Sequence, residues 1–241
     1  MNQKQQIQMT IVYDNNHFDE KLNTDWGFSC LIEGLVKSIL FDTGSNGQIL
    51  LSNMEKLRIR PDKIDLVFLS HAHRDHTGGL DALLGENSKI DVWVPEFFSS
   101  SFKNSIKKRG AVIKEVEKFQ KICDNAYTTG VISGWIKEQS LMLDTDKGLI
   151  VITGCAHPRI TKIIATAKKL LKKDIYMVFG GFHLAGFEKG ELKEILGKFI
   201  ELGIKKVGPC HCSGDDARDF FAKEYKENFI KIGVGKEIRI Q

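Results

Sequence analysis

"LVFLSHAHRDHTGGL", residues Leu66 to Leu80, is an apolar run that breaks into a cluster of ligand-type side chains. The first four residues suit a strand buried on both faces. After Ser70 come His71, His73, Asp75 and His76 in quick succession. Imidazole nitrogens and a carboxylate oxygen are suitable ligands for zinc, iron or manganese. In an extended segment, side chains at i and i+2 point the same way, so His71 and His73 can reach one cation. Asp75 and His76 are adjacent and diverge, so a tight turn can aim them at a second cation. Gly78 and Gly79 let the backbone pass close by without a Cβ. The alternative is a polar surface loop with incidental histidines. It fares badly, because neutral imidazoles crowded beside a buried strand would each need a separate hydrogen-bond partner.

The same pattern recurs elsewhere. "FDTG" carries Asp42, "VITGCAH" carries Cys155 and His157, "MVFGGFHL" carries His183, and "VGPCHCSG" carries Cys210, His211 and Cys212. Each closes a β-like run with glycine and a side chain able to bind metal or move a proton. Six of the seven histidines lie in such loops, His17 being the exception. Strand ends gathered at one edge of a sheet are where α/β folds assemble their sites.

Between these loops, β-like and helical runs alternate. Ile7–Tyr13 reads as a strand, and "FSCLIEG" and "KSILFDTG" as a hairpin about Gly34. Ile49, Leu50, Met54 and Leu57 predict a helix over residues 46–57. The middle, Phe119 to Ile152, is β-rich, and from Pro158 helices and strands alternate. Both halves run from hairpins to strand–loop–helix units. The expected fold class is α/β: a four-layer αββα sandwich of two packed mixed β-sheets with helices outside, formed by residues 1–241 as a single domain.

With 241 residues, 27% of them charged, and a net charge of +4, the chain resembles an ordinary globular protein. Its lysines are scattered and no basic block interleaves with aromatics, so no nucleic-acid partner is expected. The N-terminal "MNQKQQIQM" lacks a hydrophobic signal core, and no apolar run approaches the ~18 residues of a membrane helix. No membrane partner is therefore expected, and the expected location is cytoplasmic. Five cysteines, an odd and sparse set, argue for reduced thiols over a disulfide scaffold.

"HAHRDH" resembles the His-x-His-x-Asp-His signature of the metallo-β-lactamase fold superfamily, and the likeness spans nearly the whole chain. "ILFDTG" resembles its upstream aspartate motif, "VITGCAH" its next ligand loop, and "VGPCHC" its final ligand histidine. More narrowly, "SHAHRDHTGGL", "TGCAHPRI", "FGGFHL" and "GPCHCSG" are together similar to the branch named for dihydropterin ribofuranosylaminobenzene phosphate synthase. The resemblance implies two divalent metal ions. His71 and His73 would hold the first, and Asp75, His76 and His211 the second. The family often has a further histidine where this chain reads "NAYTTGVISG", and His157 is the natural substitute as third ligand of the first ion. The bridging residue is usually an aspartate, whereas this chain reads "TGC". Cys155 is thus either a thiolate ligand of the second ion or a small buried thiol. Thiolate ligation would favour zinc, with iron and manganese compatible. Asp42 is expected behind the ligands, holding an imidazole or a turn. Alternation along an extended segment would point Cys210 and Cys212 away from His211's direction, as packing or supporting thiols. Asp75 and His183 are the expected catalytic residues, His183 by donating a proton or binding an anionic group. Trp135, Phe182 and Phe187 are candidates to line a pocket for an aromatic ring.

The implied activity is that of a metal-dependent, hydrolase-like enzyme acting on a small, anionic or phosphorylated substrate. A metal pair brings the pKa of a shared water from ~16 to near neutrality, which suits hydrolysis by metal-bound hydroxide. The branch resemblance implies instead a transfer: a dihydropterin diphosphate condensed with a ribofuranosylaminobenzene phosphate, pyrophosphate leaving. Two alternatives share the fold. A di-iron redox enzyme would carry a carboxylate where this chain has His73, and a nuclease would carry an arm or inserted domain for which the length leaves little room. A non-enzymatic metal sensor would keep its metal without turnover.

Overall fold

The computed structural model describes residues 6–240; the first five residues of the polar N-terminal stretch and residue 241 lie outside it. Two compact units emerge, Met1–Glu117 with Gly233–Gln241, and Lys118–Ile232.

In the first unit the strands are β1 (Ile7–Tyr13), β2 (Ser29–Glu33), β3 (Ile39–Phe41), β4 (Leu66–Phe68), β5 (Asp91–Pro95) and β6 (Val112–Val116). The helices are α1 (Gly47–Lys56), α2 (Arg74–Thr77), α3 (Leu80–Glu86) and α4 (Ser100–Lys108). β1, β2 and β3 pair antiparallel, whereas β3, β4, β5 and β6 run parallel. The parallel strands "ILF" and "LVF" are apolar without alternation because both their faces are buried. Asn46 starts α1 by accepting the backbone N–H groups of Gln48 and Ile49. Leu50 and Met54 then enter a core with Val12, Leu40, Val67, Leu83 and Val92. Each such side chain contributes about 1.5–3 kcal/mol by burial.

The second unit holds β7 (Lys118–Cys123), β8 (Ala126–Gly130), β9 (Leu141–Thr145), β10 (Gly148–Thr153), β11 (Ile175–Gly181) and β12 (Lys206–Cys210), with α5 (Ile160–Leu171), α6 (Lys189–Glu201) and α7 (Asp215–Tyr225). Its six-stranded sheet has the order β12-β11-β10-β9-β8-β7. β7 to β10 pair antiparallel, and β10, β11 and β12 are parallel. Ile160, Ile163, Ile164 and Ala167 form the buried stripe of α5, at the i, i+3, i+4, i+7 spacing of one helix face. They join Val151, Val178, Phe182, Phe199 and Phe221 in this unit's core. Glu188 and Glu191 close a capping box at the start of α6.

The chain returns to the first unit as β13 (Glu237–Ile240), antiparallel to β1, completing a seven-stranded sheet ordered β13-β1-β2-β3-β4-β5-β6. No helix among the described residues is long and apolar enough to cross a membrane.

Candidate metal centre

Parallel pairing brings the chemistry of the first unit together. Phe41 of β3 lies in register with Phe68 of β4, so the residues that follow each strand emerge side by side. The backbone N–H of Asp42 donates to Phe68 O at 2.8 Å, and that of Ser70 donates to Asp42 Oδ1 at 2.7 Å. Asp42, fully buried, then governs two imidazoles. Its Oδ2 accepts from His76 Nδ1 at 2.6 Å and from the Ser70 hydroxyl at 2.7 Å. Ser70 Oγ in turn meets His71 Nδ1 at 2.9 Å. With both Nδ1 atoms engaged, the Nε2 atoms of His71 and His76 are the ones left to meet a cation, the arrangement found behind metal-ligating histidines.

These nitrogens converge. His71 Nε2 lies 3.1 Å from His73 Nδ1, and His76 Nε2 lies 3.5 Å from Asp75 Oδ2. Two ligands of a tetrahedral zinc with bonds near 2.0–2.1 Å stand about 3.3 Å apart. The first unit's donors therefore already have ligand spacing. Burial alone would keep the His76 imidazole neutral, but the charge and hydrogen bond of Asp42, helped by Asp75, carry its pKa up to about 10. A cation arriving at Nε2 would displace that proton.

The turn expected after His73 is the short helix α2, with His73 at its N-cap. Backbone bonds fasten it to the loop after β3: Thr43 N donates to His76 O at 2.8 Å, and Gly78 N to Gly44 O at 2.9 Å. A Cβ on Gly78 would fall 2.2 Å from Ser45 O, and one on Gly79 2.2 Å from Thr43 O. The glycine pair thus serves the contact between two loops.

The second unit repeats the logic. Thr153 is in register with Gly180, and Gly181 with Cys210, so the loops after β10, β11 and β12 leave the same sheet edge. Cys155, His183 and Cys212 offer ligand atoms all within 4.8 Å of one another. The rings of His157 and His183 are 4.6 Å apart. Cys212 Sγ reaches Cys155 O at 3.6 Å. Burial opposes ionisation of the Cys212 thiol, but hydrogen bonds to Cys155 and His183, with His211 nearby, hold its pKa well below the usual thiol value. Its hydrogen bond in turn raises the pKa of His183. Alternation had aimed Cys212 elsewhere. It fails because residues His211–Ser213 form a 3-10 turn in which His211 adopts φ 49°, so no extended segment exists there.

Such backbone strain gathers in these loops. Of nine non-glycine residues with positive φ among those described, Asp42, Ala156, Arg159, His183 and His211 belong to them. Strained residues persist only where their surroundings over-determine them, and they concentrate at functional sites.

Sequence reasoning missed three supporting residues. Ser70 relays Asp42 to His71. Ser213 Oγ accepts from Phe182 N at 3.0 Å and donates to Cys210 O at 2.7 Å, tying two loops together. Glu138 is fully buried, and its Oε1 accepts the N–H groups of Gly154, Cys155 and Ala156 at 3.0–3.1 Å, while Oε2 accepts that of His157 at 3.0 Å. Ser70 was visible as a polar residue wedged between a buried strand and the histidine cluster. Nothing in the pattern around "IKEQSLM" marks Glu138.

Gly181 is a further necessity. A Cβ there would lie 2.3 Å from Gly154 O and 2.7 Å from Cys212 Sγ. Gly181→Ala should therefore push the loops apart and destabilise the chain by about 1–3 kcal/mol, as overpacking does. A denaturant melt indistinguishable from the parent's would show that the loops can retreat freely.

The sequence profile of the metallo-β-lactamase superfamily matches residues 27–165. The chain is 31% identical, over 95% of both lengths, to the 7,8-dihydropterin-6-methyl-4-(β-D-ribofuranosyl)-aminobenzene-5'-phosphate synthase of Methanocaldococcus jannaschii. Among solved structures it is similar to Tm1679, a metal-dependent hydrolase of the β-lactamase superfamily, with TM-score 0.82 and 28% identity over 97% of this chain and 99% of that one. It shares the fold of YhfI from Bacillus subtilis, at TM-score 0.70 and 12% identity over 97% and 99% of the two chains. The α/β class expected from the sequence, two mixed sheets with their helices, is the fold of these structures. The profile covers more than half of the sequence and the archaeal relative nearly all of it, so the chain belongs to the metallo-β-lactamase superfamily, as one of its enzymes.

Proposed function

We propose that this enzyme holds two divalent metal ions and acts on a small phosphorylated substrate, and that residues 1–241 make up one domain of the family. His71, His73 and His157 hold one ion in this reading; Asp75, His76, His211 and the Cys155 thiolate hold the other. The observation that carries it is the convergence of His71, His73, Asp75 and His76 at ligand spacing, with Asp42 and Ser70 behind them. The donor set fits: nitrogen, carboxylate and a single thiolate suit zinc best, with iron and manganese accommodated. Bound ions supply Lewis acidity, stabilising negative charge on reacting oxygens and lowering the pKa of water.

The chain's own residues do the rest. Asp42 and Ser70 hold two imidazoles in the ligating tautomer. Glu138 fixes the backbone that carries Cys155 and His157. We assign proton transfer to His183, whose pKa the Cys212 thiolate raises. The likeness to the archaeal synthase along 95% of the chain supports condensation over hydrolysis: an aminobenzene nucleophile attacks, the carbon–oxygen bond to the diphosphate breaks, and pyrophosphate leaves. Hydrolysis of a phosphoester is the second reading, supported by the likeness to Tm1679. A di-iron redox role is disfavoured by His73. Five cysteines without a disulfide suit the reducing cytoplasm.

Elemental analysis of protein purified without added metal tests the site, with about two ions per chain expected; a metal-free chain that takes up none on addition of zinc overturns it. A substrate panel containing phosphoesters, and the dihydropterin diphosphate with its aminobenzene partner, separates the two reactions. His183→Ala should keep the metal and lower turnover by about 10²-fold, the usual worth of a general acid or base. Loss of metal from that variant would make His183 a ligand instead.

A further inference from the structure

The second unit contains a cavity of about 270 Å³ that the proposed metal ligands do not fill. Trp135, Phe182, Phe187 and Ile160 give it largely apolar walls. His157 and His183 form one side, their rings 4.6 Å apart, and Trp135 stands edge-on to His157 at 6.3 Å. Arg159 lines the cavity too, at φ 80°, and its exposed guanidinium has no carboxylate partner among the described residues.

Size and chemistry narrow the ligand. A dry cavity of about 150 Å³ already admits a benzene ring, and drug-sized ligands occupy about 300 Å³ or more. One ring with a substituent fits; a polymer does not. A nitrogen-rich heterocycle such as a pterin would bury several donors and acceptors, and beyond the two imidazoles and Arg159 the wall meets them only with the Thr161 hydroxyl and the Trp135 N–H. A benzenoid ring has no such need and gains from the aromatic walls. The single unpaired cation suits one anionic group.

We propose that this cavity is the subsite for a benzenoid ring bearing an anionic substituent, with Trp135, Phe182 and Phe187 on the ring and Arg159 on the anion. The assignment deepens the metal-enzyme reading above. It makes the aryl partner, not the pterin, the occupant beside His157.

The test is calorimetric titration of chelator-treated protein with phenyl phosphate, inorganic phosphate and pterin-6-carboxylate. Working without metal separates this claim from the metal reading, which elemental analysis checks independently. Phenyl phosphate should saturate the site, while the other two should bind at least about tenfold more weakly. Arg159→Met should weaken phenyl phosphate about tenfold, the loss of one charge-assisted contact. Trp135→Ala should weaken it about threefold to tenfold. Trp135 is 84% exposed, so its removal leaves the core intact. Both variants should keep the parent's metal content and melting temperature. If chelation unfolds the chain, the same comparison is made on zinc-loaded protein, where inorganic phosphate reports binding to the ions alone. Absence of saturable phenyl phosphate binding, equal binding by inorganic phosphate or the pterin, or unchanged affinity in both variants overturns the proposal.

Discussion

His71→Ala leaves a folded chain that has lost part of its metal and about 10³-fold or more of its turnover, the scale set by removing a charge-stabilising element from a metal-assisted reaction. The substitution deletes the nitrogen that faces His73 at 3.1 Å and ends the relay from Asp42 through Ser70. His71 is fully buried, so some stability goes with it, about 1–3 kcal/mol. Asp75→Ala provides the cleaner arm. Its side chain is 17% exposed, and its removal empties little volume while taking away a proposed ligand and an expected catalytic residue. Both variants are assayed for bound metal, turnover and thermal melting. Full metal content in both would sink the ligand assignment.

Glu138→Ala is expected to damage the fold more than any other single change considered. One carboxylate receives four backbone N–H groups in the loop from Gly154 to His157. Each buried donor left without an acceptor costs about 1–3 kcal/mol, and water entering the void recovers part of that. A net loss of about 3–6 kcal/mol is expected, against total stabilities of about 5–15 kcal/mol. Glu138→Gln should fall between parent and alanine variant. Its carbonyl can still accept on one side, but its NH2 would confront an N–H on the other. Chemical denaturation measures the order. An alanine variant within 1 kcal/mol of the parent would mean that the loop holds itself, contrary to the role assigned here. Zinc affinity should drop alongside stability, because the same loop carries Cys155 and His157.

The two predictions rest on residues of opposite legibility. His71, His73, Asp75 and His76 crowd into one short stretch, and an apolar run announces the strand before them. Side chains so close in the chain must be close in space, whatever the rest of the fold does. The parallel strands "ILF" and "LVF" were equally readable, because burial on both faces erases alternation. Cys212 shows where such local reasoning fails. Its direction was argued from the alternation of an extended segment, but His211 turns left-handed and re-aims the thiol toward Cys155 and His183. A backbone reversal of one residue leaves no periodic trace.

Residue spacing supplied the fold class, several of the strands and helices, and the identity of the ligand-type side chains, because each depends on neighbours a few positions apart. The tertiary structure decided the rest. Register between β3 and β4 sets Asp42 against Ser70 and His76. Register among β10, β11 and β12 brings Cys155, His183 and Cys212 together. The choice of Glu138 as anchor of a distant loop came from the same source. These contacts join residues far apart in the chain, and no short-range pattern can encode which strand end will lie beside which.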